Sequence, residues 1–176
     1  TYDLDQAILD LRLTKGRGLI IPFLNGMTHL MKLDEEFGSE KVMGGVAHIS
    51  STINEDETIE HFSKFKKLTF GNRIHNQNYL LKPFLDVCEK TKFDVVLSEN
   101  ITLDLWKKWI FISTVAGATT LFSSTLGKIS NHEVGKKTLI DLYMECRSIA
   151  NLNGFKIDDN EANSILDNIT AVSYTH

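Results

Sequence analysis

ITLDLWKKWIFISTVAGATTLFSSTL, residues Ile101–Leu126, is the stretch whose reading decides the fold. After its first two turns it is apolar on every side, and a helix of that kind is buried in a core or in a membrane. The run Trp109–Leu126 carries no charge, yet it holds Ser113, Thr114, Gly117, Thr119, Thr120, Ser123, Ser124 and Thr125. It is short and polar for a membrane span, so it reads as a core helix. Lys107 and Lys108 sit side by side where the helix turns apolar, between Trp106 and Trp109. Positions i, i+4 and i+8 stack along one helix face, so Lys108 leads into Ile112 and Ala116. A lysine there either snorkels its amine to water or aims it at something. Charged residues are mostly exposed, which favours a snorkelling surface lysine. In a partly dry cleft, the same amine can polarise and protonate a carbonyl oxygen.

Outward from this helix the chain changes character near Ser98. Beyond it every segment reads helical, with helices expected over 101–124, 131–152 and 158–174. Asn153-Gly154 stops the second, and Asp158 or Asp159 caps the third. Before it the pattern is α/β. Leu4, Ala7, Ile8 and Leu11 recur at helical spacing, and Gly16 and Gly18 end that helix. GLIIPFL, Gly18–Leu24, reads as a buried strand followed by the Asn25-Gly26 turn. A helix over Thr28–Phe37 ends at Gly38. Strands are expected over Lys41–Thr52, Glu57–Phe62, Lys67–Phe70 and Phe93–Leu97, and an amphipathic helix over Asn76–Lys90. The fold class is therefore α/β followed by all-α.

The chain has 176 residues, 42% hydrophobic and 24% charged, with a net charge of -4. That size makes one ordinary domain or two small pieces. Mixed, mildly acidic charge gives no field to gather nucleic acid or an anionic membrane. Cys88 and Cys146 lie far apart, outside any CxxC or ligand cluster, and read as buried free thiols in a reducing compartment. The expectation is a soluble intracellular protein. The chain starts at Thr1 in a helical pattern and stops at His176 in another, so it reads as a piece of something longer.

Few motifs carry chemistry alone. An apolar strand, Asn-Gly and a helix make the geometry of a ligand site at the carboxyl end of a strand. Asn25 could orient a ribose, a nicotinamide amide or a substrate hydroxyl there, or it could only serve the turn, which Asn-Gly favours. His48, in the strand VAHIS, reads as an edge or core residue rather than a base. His29, His61, His75, His132 and His176 show no metal-ligand spacing. No GxSxG, P-loop, HExxH or GxGxxG occurs.

The order of motifs says more. IIPFLNGM, then FGSEKVMGGVAHIS, then a strand meander, then ENITLDLWKKW opening an all-helical part, resembles the ketopantoate reductase (2-dehydropantoate 2-reductase) family over essentially the whole chain. The resemblance implies the latter part of an NADP-binding Rossmann-type domain, residues 1–98. It implies a helical domain of the 6-phosphogluconate-dehydrogenase C-terminal type over 99–176, with the site in the cleft between the two. The family's opening GxGxxG would lie upstream of Thr1, and a substrate-binding serine and a cofactor-contacting glutamate beyond His176.

Carried across, the family's catalytic lysine falls on Lys108, which would protonate the ketone oxygen as hydride arrives from NADPH. Its asparagine after the apolar strand falls on Asn25, near nicotinamide and substrate. A backbone contact to the cofactor falls near Ser50. Pantoate-forming members carry asparagines where this chain has Ile112, Ala116 and Leu126. Apolar side chains there cannot hold a polar hydroxy acid by hydrogen bonds. The resemblance thus implies a cytoplasmic NADPH-dependent reductase of a small 2-oxo acid, nominally ketopantoate, with Lys108, Ile112, Ala116 and Asn25 against the substrate. Two alternatives stand beside it: a reductase of a more apolar oxo acid, and a non-catalytic dinucleotide-binding or dimerisation module. In the last, helices 131–152 and 158–174 offer an assembly surface for a homodimer.

Overall fold

A computed structural model describes residues 3–13, 18–74 and 78–171, without the side chains of 62–65, 168 and 171. The expected helix stop at Gly16, the helix start at Asn76 and the end of the last helix at 174 lie outside the described residues. The chain forms two compact units, Thr1–Leu105 and Trp106–His176. The division falls inside one long helix.

The first unit holds α1 (Leu4–Leu13), α2 (Thr28–Phe37), β1 (Gly44–Ile53), β2 (Ile59–Gly71), a 3₁₀ turn (Asn78–Leu81), α3 (Lys82–Cys88), β3 (Asp94–Leu97) and the first turn of α4 (Ile101–Phe122). The sheet order is β1-β2-β3. β1 and β2 run antiparallel, and β2 and β3 run parallel. Leu30, Leu33, Val42, Val46, Ile101 and Leu105 form one buried cluster, and Met43, Phe70, Leu81 and Cys88 another. Gly44 lets α4 approach β1 closely, since a Cβ there would lie 2.5 Å from Ile101 Cγ1.

Three expectations need correction here. Gly18–Leu24 is not a strand and makes a single parallel bridge, Ile20 to Val42. The Ile20 N–H donates to the Lys41 carbonyl and the Met43 N–H to the Ile20 carbonyl, both at 2.8 Å. The next rung of a parallel ladder needs a donor at residue 22, and Pro22 has none. Glu57–Phe62 and Lys67–Phe70 are not two strands: one strand, β2, runs from Ile59 through both, because residues 63–66 hold no Gly, Pro, Asn or Asp to turn the chain. The expected Asn76–Lys90 helix is a 3₁₀ turn followed by α3, with proline in the first helical turn. Pro83 is tolerated at a helix start but breaks an interior.

The second unit holds the rest of α4, α5 (Leu126–Ser130), α6 (Glu133–Leu152) and α7 (Asp159–Ala171). Ile110, Thr114 and Ala118 form the buried stripe of α4, and Leu139, Tyr143 and Ala150 that of α6. The expectation that α4 is covered on all sides is corrected: Ala116, Gly117 and Thr120 are exposed, and Leu121 is 68% exposed. A helix buries the stripe that meets a neighbour, and small residues on the other face cost little in water. The expected single helix 131–152 is preceded by the separate short α5. Gly135 permits the tight α5–α6 corner, where a Cβ would lie 2.2 Å from the Ile129 carbonyl oxygen.

α6 ends at Asn153 with Gly154 at φ +88°, a glycine stop. Asp158 caps α7, its Oδ1 accepting the Glu161 N–H at 2.9 Å. Both cysteines are free, Cys88 buried and Cys146 only half-buried. Among the described residues no helix is long and apolar enough to cross a membrane.

Candidate functional site

Lys108 stands on the second turn of the long helix, half-buried, and carries no hydrogen bond or ion pair among the described residues. Burial pushes its amine below the ordinary lysine range, because desolvation penalises the charged form. Half-buried Ile112 and exposed Ala116 follow on the same helix face. The amine is thus a proton donor on an otherwise apolar face, able to protonate an oxygen brought against it.

Its neighbours on α4 are engaged. Lys107 Nζ lies 2.7 Å from Glu161 Oε1 on α7. The Trp106 ring stacks on Phe155, with centroids 5.9 Å apart and an interplanar angle of 28°. It meets Trp109 edge-on, at 5.4 Å and 83°. Of two adjacent lysines, one is tied to α7 and the other has no partner among the described residues.

In the first unit Asn25 is exposed, and its amide makes no hydrogen bond among the described residues. Gly26 takes the positive φ, +85°, so the glycine rather than the Asn25 side chain serves the turn. A Cβ on Gly26 would meet nothing within 4 Å, which leaves the backbone beside Asn25 open. An uncommitted amide beside open backbone fits the carboxamide or ribose hydroxyls of a nicotinamide cofactor. Ser50 is exposed on β1 where the register shifts, between Ile49 opposite Lys66 and Ser51 opposite His61. Such an irregularity takes backbone groups out of the ladder, the condition for a backbone contact to a ligand. His48 is exposed on the same strand. No group of His, Cys, Asp and Glu among the described residues could hold a metal ion.

The sequence reading missed Glu161. Its signal was the Asp158-x-x-Glu161 spacing, that of a capping box. The box is half made: Asp158 caps the Glu161 N–H, while the Glu161 carboxylate goes to Lys107. Arg147 was missed as well. Its Nη2 donates to the Ile157 carbonyl at 2.5 Å and to Asp159 Oδ1 at 2.6 Å, tying α6 to the start of α7.

Two family models match the chain in succession. One is described as Ketopantoate reductase PanE/ApbA, over residues 1–74, and the other as Ketopantoate reductase PanE/ApbA C terminal, over residues 100–176. The chain belongs to the ketopantoate reductase family. It is 32% identical over 174 residues to an uncharacterized oxidoreductase, YkpB, of Bacillus subtilis (strain 168), covering 98% of this chain and 57% of that protein. Its fold is that of a 2-dehydropantoate 2-reductase from Geobacter metallireducens, with a TM-score of 0.87 at 19% identity, covering 100% of this chain and 59% of the other. It is also that of a D-mandelate dehydrogenase solved with NADH, with a TM-score of 0.83 at 15% identity, covering 97% of this chain and 56% of the other. The chain therefore spans well under two thirds of the relatives it matches. At these identities the solved structures establish the family fold, a Rossmann-like part followed by an all-helical part.

Proposed function

We propose that the protein reduces a small 2-oxo acid with NADPH, nominally 2-dehydropantoate to pantoate, and that Lys108 is the general acid. The observation that carries this reading is the half-buried Lys108 amine, unpaired among the described residues, on a face continued by Ile112 and Ala116. When bound, the dinucleotide supplies the hydride. As the carbonyl carbon is reduced, Lys108 Nζ holds the carbonyl oxygen and passes it a proton, so that no free alkoxide forms. Asn25 orients the nicotinamide or the substrate through its uncommitted amide, and the backbone near Ser50 contacts the cofactor. In this reading 1–98 is the nucleotide-binding part, 99–176 the substrate part, and the protein works in the cytoplasm as a homodimer.

A second reading, reduction of a more apolar oxo acid, is favoured by Ile112 and Ala116. Neither can pair a substrate hydroxyl, and an unpaired buried hydroxyl costs about 1–3 kcal/mol. That is one to two decades of kcat/KM per group. The fold's occurrence in a D-mandelate dehydrogenase is in keeping with such a substrate.

The test is an assay of the intact parent protein with NADPH and with NADH, against ketopantoate and a panel of branched and aromatic 2-oxo acids. Ketopantoate turning over best would support the first reading, and a branched or aromatic acid turning over best the second. No turnover of any acid with either cofactor would leave the dinucleotide-binding module as the surviving account.

A further inference from the structure

We propose that Glu161 is a positioning residue for Lys108, acting through Lys107. The inference rests on Lys108 being the acid, and it starts from the two adjacent lysines. Successive residues on a helix point about 100° apart, so Lys107 and Lys108 leave α4 in different directions. Glu161 takes Lys107, with Oε1 2.7 Å from Nζ. Trp106, on the other side of Lys107 in sequence, is held by the Phe155 ring, and Trp109 packs edge-on against Trp106. Residues 106, 107 and 109 are thus gripped, and the rotation of the turn that carries Lys108 is set by its neighbours.

The grip is itself braced. Asp158 caps the backbone of Glu161, and Arg147 of α6 binds the Ile157 carbonyl and Asp159 at the entry to α7. Tyr143 of α6 faces the same charges. Burial raises its hydroxyl pKa most, Arg147 lowers it, and Glu161 raises it. The backbone that carries Glu161 is therefore held in place at the start of α7.

The second consequence is electrostatic. A free ammonium at position 107 would stand beside an amine that burial already pushes toward its neutral form. A neutral amine has no proton to give. By pairing Lys107, Glu161 leaves less uncompensated positive charge beside Lys108. The other titratable groups around this turn are Asp104 one turn earlier on α4, which accepts from Ser98 Oγ, and Tyr143, Arg147 and Asp159 of α6 and α7.

Competitive amine labelling of the full chain across pH, read by mass spectrometry at Lys108, tests this without any turnover. In Glu161→Gln the Lys108 midpoint falls by about 0.5 pH unit, the scale for one uncompensated neighbouring charge near a protein surface. In the double variant Lys107→Gln/Glu161→Gln both charges are gone, and the midpoint returns to the parent value. In Lys107→Gln alone, Glu161 loses its partner and the midpoint rises, which keeps the proposal testable if Glu161→Gln does not fold. An unchanged midpoint in folded Glu161→Gln or Lys107→Gln would overturn the proposal. So would a double variant that falls as far as the single one. Labelling reports the charge on Lys108, whereas turnover of Lys108→Ala reports its catalytic role, so either can fail without the other.

Discussion

The head of α4 and the lysine turn just after it treat their polar groups in opposite ways. At the head Ser98, Asn100 and Asp104 are all engaged. Ser98 Oγ donates to Asp104 Oδ2 at 2.5 Å and accepts the Asn100 N–H at 3.1 Å. Asn100 Oδ1 accepts the Leu103 N–H at 3.2 Å, and Asn78 Nδ2 donates to the Ser98 carbonyl at 2.8 Å. These bonds satisfy donors that a helix start leaves without partners. At the lysine turn Lys107 is paired, and Lys108 has no partner among the described residues. The head explains itself as folding. A half-desolvated amine with no partner among the described residues adds no polar bond to the fold, and chemistry is what would account for it.

Four substitutions can break or sharpen that contrast, the largest expected effect first. Lys108→Ala in the intact parent should lower kcat by roughly 10²–10⁴-fold, the scale for a general acid, while leaving the thermal midpoint almost unchanged. A lost fold with retained turnover per folded molecule would reverse the contrast. Leu105→Ala, at a side chain 4% exposed in the core, should cost about 2–5 kcal/mol in denaturant unfolding without a matching loss of kcat. Asn100→Ala removes the cap of α4 and should cost about 1 kcal/mol by the same measurement, again with little effect on turnover.

The fourth concerns His29 on α2, which is 3% exposed with Nε2 unpaired. Burial first, and Arg73 second, hold its pKa below the usual histidine value. Arg73 is itself bound to Asp34 and to the Val42 carbonyl. The folded pKa lies below the unfolded one, so the unfolded chain takes up the proton first on acidification. The stabilisation is complete above about pH 6.5 and declines as pH falls below it toward the folded pKa. A thermal midpoint that drops between pH 7 and 5.5 in the parent, and drops less in His29→Gln, is the expected result. Parallel curves would assign the acid sensitivity elsewhere.

What was legible followed from how local each signal is. The Asn153-Gly154 stop and the Asp158 cap are set within a turn of chain, and both occur as expected. The face shared by Lys108, Ile112 and Ala116 needed only the helical period. Strand pairing is different. Whether Gly18–Leu24 pairs depends on a partner at Val42 and on a donor that Pro22 lacks, and the length of β2 depends on its ladder with β1. Glu161 stayed hidden because the capping-box spacing accounts for it locally, while its carboxylate goes to a lysine on another helix. Asn25 was ambiguous in sequence because Asn-Gly serves turns. The structure shows that Gly26 alone takes the strained conformation and leaves the Asn25 amide uncommitted.

The pH profile of kcat in the intact parent, measured beside that of Lys108→Ala, tests the central claim most directly. An acid must carry its proton, so activity falls as pH rises through its pKa. With Lys108 as the acid, the parent shows an alkaline limb with its midpoint below the ordinary lysine value of about 10.4, because burial disfavours the charge. That limb disappears from the residual activity of Lys108→Ala. The same limb in both proteins would show that another group supplies the proton, and would contradict the assignment of Lys108.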